Sequence, residues 1–144
     1  YLDLNKFKQV NDHHGHGVGD LLLQAFASRL AQHTREADTV ARMGGDEFVV
    51  LLENSPSEAD TAVVVANIRA AMQAPVELAG LSLAVQPSIG IAYFPTHGHD
   101  EASLLNHADA SMYGEKSSQA AGEQPSAATR EGVVVESTND AQDV

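Results

Sequence analysis

Apolar and polar residues follow two different periods along this chain. Residues 1–4 read as a short strand, and "NKFKQVND" follows as one or two helical turns with Phe7 and Val10 on one side. "HHGHGVGD" is rich in glycine and reads as a loop. Over residues 21–34, Leu22, Ala25, Phe26 and Leu30 fall at helical spacing, with Asp20 standing where an N-cap belongs. Residues 39–43 and 47–52 are two apolar arms around a short turn, the pattern of a β-hairpin. "SPSEADTAVVVANIRAAMQA" opens on cap-like serines and reads as a helix up to Pro75. Residues 76–79 and 82–94 form a second hairpin across Gly80. "DEASLLNHADASMYGEK" closes the series as a helix with Leu104, Leu105, Ala108 and Met112 inward.

The resulting order, βαββαββα, predicts an α/β (α+β) fold. It is palm-like, with a central, mostly antiparallel sheet flanked by helices. Residues 1–116 make one domain. From Ser117 onward the composition is polar and rich in small residues, so residues 117–144 are expected to be a disordered tail. Within it, "GVVVE" (132–136) is a candidate edge strand.

Composition narrows the partners. Eight Lys and Arg against twenty Asp and Glu give a formal net charge of −12. A surface that acidic repels a phosphate backbone, so nucleic acid is not an expected partner. A phosphate ligand would have to meet a metal, backbone N–H groups or a few placed lysines. Cysteine is absent, which excludes disulfides and thiolate metal sites. No run reaches the roughly 18 apolar residues of a membrane span, and no signal peptide is visible, so no membrane contact by this piece is expected. The chain opens at Tyr1, without Met, inside an apolar run. It reads as a piece of a longer, cytoplasmic protein, and a membrane anchor in the parent stays open.

The first hairpin raises a chemical question. "ARMGGDEFVVLL" (41–52) sets Gly44, Gly45, Asp46 and Glu47 between two apolar runs. Two small residues suffice to turn a hairpin. Two adjacent acids add repulsion there, so turning explains the glycines and not the acids.

"DLNKFKQVND", "GHGVGD", "ARMGGDEF", "SIGIA" and "HADASMYGEK" stand in the order and spacing of the GGDEF domain, the diguanylate cyclase family. The chain resembles that family over residues 1 to about 116. The resemblance implies an Mg²⁺-dependent enzyme (or one using Mn²⁺) that joins two GTP molecules into cyclic di-GMP and releases two pyrophosphates. Each domain would hold one GTP, so catalysis would require a homodimer.

Residue by residue, the resemblance implies metal binding by Asp3, Glu47 and the carbonyl of Leu4. Strands about 4.8 Å apart can bring two such carboxylates onto one ion, and hard oxygen donors suit Mg²⁺. Taken alone, Asp3 reads better as a strand-end acid capping the next helix; together with the hairpin acids the metal reading is favoured. Asp46 matches the position that deprotonates or orients the attacking 3′-hydroxyl, while Gly44 and Gly45 let the backbone approach a ligand. Asn11 and Asp20 match guanine-reading positions, which suits the donor pair guanine offers. Without the family they are a turn residue and an N-cap. Lys8 and Lys116 match phosphate contacts, and the backbone N–H groups near Lys6 and Phe7 would cradle the terminal phosphates.

Arg35 and Asp38 in "READ" match a product-inhibition site. Asp38 lies about 20 Å along the strand from the turn, too far to act at the tip. The plain reading of the pair is an i,i+3 ion pair at a helix end. The histidines of "HHGH" and "HGH" lack the third ligand that zinc needs, and His16 falls on a structural position of the family. Two departures stand out. "SSQAA" replaces the glycine, arginine and asparagine expected after Lys116, and the segment that family members carry before the first strand is absent. Both favour an alternative: a weak or inactive module that binds GTP or cyclic di-GMP as a signal.

Overall fold

A computed structural model describes residues 1–55 and 57–122, with side chains described as far as Gly114. The elements are β1 (Leu2–Leu4), α1 (Phe7–His14), α2 (His16–Gln32), β2 (Thr39–Gly44), β3 (Glu47–Leu51), α3 (Glu58–Gln73), β4 (Val76–Leu78), β5 (Leu81–Leu83), β6 (Pro87–Ile89) and α4 (Glu101–Gly122). Four strands form one antiparallel sheet in the order β2-β3-β1-β6, and β4 and β5 form a separate ribbon. The expected architecture, an antiparallel sheet flanked by helices, is the one found.

The core follows from the apolar alternation of the strands and one stripe of α2. Leu2 and Leu4 share a face of β1 with Phe48 opposite Leu2, and all three are buried with Leu22, Phe26 and Leu30 of α2. Phe26 and Phe48 meet at a ring separation of 5.0 Å. Burying each such side chain contributes about 1.5–3 kcal/mol, so this cluster fixes which face of β1 turns inward. Asp3, one residue out of phase, is thereby sent to the opposite face.

Three details differ from the expectation. "HHGHGVGD" is not a loop: only Gly15 (φ 83°) interrupts, and α2 already starts at His16. Glycine at position 19 serves close helix packing, because a Cβ there would sit 1.9 Å from Asn11 Oδ1 and 3.3 Å from Phe7 Cζ. Asp20 consequently lies inside α2 and is not its N-cap. The long second arm, 82–94, also divides. β5 ends at Leu83 after a tight turn in which Ala79 (φ 49°) and Gly80 (φ 80°) are both left-handed, the geometry hairpins favour. β6 then leaves the ribbon and pairs with β1, every residue of it buried. Alternation shows that a strand is buried and not which strand it pairs with.

α3 begins as expected, with Ser57 Oγ accepting from the Asp60 N–H. It stops before Pro75, and Arg29 of α2 donates to the carbonyls of Ala74 (2.5 Å) and Pro75 (2.6 Å). α4 lies against β6 so closely that a Cβ on Gly90 would be 1.8 Å from the Ala108 carbonyl oxygen. The helix continues to Gly122, beyond residue 116. Residues 123–144, including "GVVVE", lie outside the described residues. Among the described residues no helix is long and apolar enough to cross a membrane.

Candidate active site

The turn between β2 and β3 is built for exposure of its backbone. Gly45 takes φ 52°, the ladder shifts register between Arg42 and Gly44, and Arg42 Nε donates to the Gly45 carbonyl at 2.9 Å. Left-handed backbone at that point costs a non-glycine residue energy, which accounts for the glycine. The bulge carries the strand into Asp46 and Glu47, both half-buried.

β1 runs antiparallel to β3 with Asp3 directly opposite Glu47. Directly opposed residues point to the same face with Cβ atoms about 4.5–5.5 Å apart, so two carboxylates share one small volume. The Leu4 N–H donates to the Asp46 carbonyl at 3.3 Å, which turns the Leu4 carbonyl toward the same edge. This donor set, two carboxylates with a main-chain carbonyl beside them, fits a hard divalent cation. Among the described residues no group of three or more acids and histidines forms a closed cage. Two protein carboxylates suit Mg²⁺ or Mn²⁺, which keep waters and substrate phosphates as further ligands.

Two further residues stand near the tip: Tyr1, outside the quoted motifs, and Asp109, within "HADASMYGEK" but given no role there. Burial first, then the neighbouring Glu47 carboxylate and the charges of Asp109 on α4 and of Asp3, push the Tyr1 phenol above its ordinary pKa. The available signal for Tyr1 is the strand period of two, which puts it on the face of Asp3.

The second group sits on α1 and α2. Lys6 caps α1 in a left-handed conformation (φ 63°), so the first N–H groups of the helix begin immediately after β1. Phe7 is buried and Lys8 exposed. Asn11 Oδ1 is buried with no hydrogen-bond partner, pressed against Gly19, while Asp20 is exposed on the next position. An orphaned buried acceptor costs about 1–3 kcal/mol, a cost that a ligand's donor would relieve. Lys116 falls on α4, and its side chain lies outside the described residues.

Arg35 and Asp38 lie beyond the other end of the hairpin, where Thr39 pairs with Leu51. The hydrogen bond joining the pair is not between side chains. The Asp38 carboxylate accepts from the backbone N–H groups of Arg35 (2.8 Å) and Glu53 (3.2 Å). Asp38 therefore ties the α2–β2 connection to the end of β3, and Arg35 stays exposed. Among the histidines, His97 and His107 stack at 3.8 Å, and His97 Nδ1 accepts from the Tyr93 N–H.

Residues 1–121 match the family described as diguanylate cyclase, GGDEF domain. The chain is 45% identical over 114 residues to diguanylate cyclase TpbB of Pseudomonas aeruginosa, across 78% of this chain and 26% of that protein. To the bifunctional diguanylate cyclase/cyclic di-GMP phosphodiesterase MucR of the same organism it is 41% identical over 113 residues, across 78% and 16%. The crystal structure of the GGDEF domain of TpbB (YfiN) is similar at a TM-score of 0.79 and 44% identity, covering 81% of this chain and 73% of that one. The chain thus spans well under half the length of these curated relatives.

Proposed function

Because the chain belongs to the GGDEF domain family of diguanylate cyclases, we propose that its site condenses two GTP molecules into cyclic di-GMP and releases two pyrophosphates. The observation that carries this reading is the cross-strand pairing of Asp3 with Glu47 at the glycine-turned tip. Mg²⁺ (or Mn²⁺) held by Asp3, Glu47 and the Leu4 carbonyl would neutralise charge on the triphosphate during in-line displacement.

The chain's own residues supply the rest. Asp46 orients the attacking 3′-hydroxyl or takes its proton. The open backbone at Gly44 and Gly45 lets the nucleotide approach. The first N–H groups of α1 near Lys6 and Phe7, with Lys8 and Lys116, hold phosphates in a chain otherwise strongly acidic. Asn11 and Asp20 accept from the guanine edge, which gives the orphaned Asn11 oxygen a donor. Each domain presents one nucleotide, so a homodimer brings two sites face to face. Arg35 and Asp38, remote from the tip, bind cyclic di-GMP as an inhibitor.

Chromatographic detection of cyclic di-GMP after incubation with GTP and Mg²⁺ tests the reading. A folded chain that binds GTP or cyclic di-GMP without forming product would instead be a sensor. The "SSQAA" stretch after Lys116 favours that second reading, since it removes an arginine from the phosphate side.

A further inference from the structure

Ser88 is a fully buried polar side chain, 0% exposed, between Pro87 and Ile89 of β6. α4 covers this face of the strand, since Gly90, two residues on, is pressed against the backbone of Ala108 and Met112. A hydroxyl in such a place is costly unless it is hydrogen-bonded, and an alanine would carry no such cost. Ser88 Oγ donates to Asn5 Oδ1 at 2.8 Å, joining residues 83 positions apart.

Register explains the reach. Ser88 stands directly opposite Asp3 across β1 and β6, so Asn5, two residues beyond Asp3, is its diagonal neighbour on the same face. The Asn5 N–H donates to the Gln86 carbonyl at 2.9 Å. One backbone bond and one side-chain bond thus tie Asn5 to the β6 segment. Immediately after it, Lys6 takes φ 63°, a left-handed backbone uncommon for lysine, and no side chain caps α1 there. Such a turn persists only where its surroundings over-determine it. On one side they are the two bonds of Asn5, and on the other the buried ring of Phe7.

We propose that Ser88 is a positioning residue for the phosphate end of the site. Its hydroxyl holds Asn5, and Asn5 holds the Lys6 turn from which the first N–H groups of α1 emerge. Hydrogen bonds weaken steeply once donor and acceptor fall out of line, so the direction of these N–H groups decides what they contribute. Ser88, wholly buried, acts only through Asn5. The proposal rests on the reading of that turn as the cradle of the terminal phosphates, and it adds the residue that fixes the cradle.

The test compares two ligands that share guanosine and differ in their terminal phosphates: GMP, and a GTP analogue whose α–β bridge cannot be broken. Calorimetry with Mg²⁺ measures both on the unaltered chain, Ser88→Ala, Asn5→Ala and the double variant. Ser88→Ala removes one oxygen and keeps the packed Cβ. The expected result is analogue affinity about tenfold weaker in Ser88→Ala, the loss of one hydrogen bond to a charged group, with GMP affinity unchanged. The double variant should be no weaker than the weaker single one, because both changes break the same link. Unchanged analogue affinity in Ser88→Ala overturns the proposal, as does an equal loss for both ligands, which marks general loosening, or fully additive losses in the double variant. If the unaltered chain binds GMP as tightly as the analogue, the phosphate-cradle reading fails and the proposal falls with it, a result distinct from failure of Ser88→Ala alone.

Discussion

Asp3 and Glu47 stand directly opposite each other across the antiparallel pair of β1 and β3, forty-odd residues apart in the chain. Neither has its position by accident of surface. Leu2, Leu4 and Phe48 are buried on the other face, so the alternation of each strand delivers its acid to the same side. Two like charges so placed repel, and a bound cation relieves the repulsion.

Glu47→Gln keeps the size and the strand while removing the charge. Product formation from GTP should fall by at least 100-fold, with circular dichroism and melting temperature preserved. Wild-type rates from a folded variant would contradict the assigned role.

Gly19→Ala separates base recognition from folding. A methyl there would meet Asn11 Oδ1 at 1.9 Å, and the movable partner is the end of a side chain. Alanine improves helix propensity by about 1 kcal/mol, which offsets part of the cost of moving Asn11 and crowding Phe7, so the melting temperature should fall only slightly. GTP affinity, read by calorimetry, should drop because Asn11 is displaced. In the unaltered chain ATP should be a poor substrate, since adenine offers an acceptor at N1 where guanine offers a donor; a site built on such bonds rejects the wrong partner by about 10⁴-fold.

Arg35→Ala and Asp38→Ala should part company. Asp38 holds two backbone N–H groups, so its loss should cost about 1–2 kcal/mol of stability in a denaturant titration. Arg35 is exposed, so its loss should leave stability within about 0.5 kcal/mol. It should still weaken cyclic di-GMP binding about tenfold or more and relieve product inhibition without changing the initial rate. Unchanged product affinity in Arg35→Ala would reduce "READ" to a structural turn.

Asp100 gives the chain an acid-sensitive helix start. Its carboxylate accepts from the Ser103 hydroxyl and then from the Ser103 N–H (2.8 Å), and these hold its pKa below the ordinary value of 3.8. A lowered folded-state pKa means the added stability is complete above the ordinary aspartate range. It is lost as the pH falls through the depressed value. Asp100→Asn should therefore flatten the lower end of the stability–pH curve, and melting temperatures measured between about pH 2 and pH 6 would show it.

The amino-acid sequence by itself determined the local elements whose signal is periodic and the chemistry whose signal is a motif. The helical stripe of α2, the cap and proline stop of α3, and the two arms flanking Gly44 and Gly45 are all properties of near neighbours. Tertiary structure alone decided the rest. Gly19 looks like a loop residue until α1 is seen lying against it, because a glycine chosen for close packing and one chosen for a turn have the same letter. The partner of β6 was equally invisible, since a buried strand advertises burial on both faces and no address. Tyr1 belongs to the same class. Its side chain shares a face with Glu47 only because register, set by burial of Leu2 against Phe48, brings residues distant in sequence onto one side of the sheet.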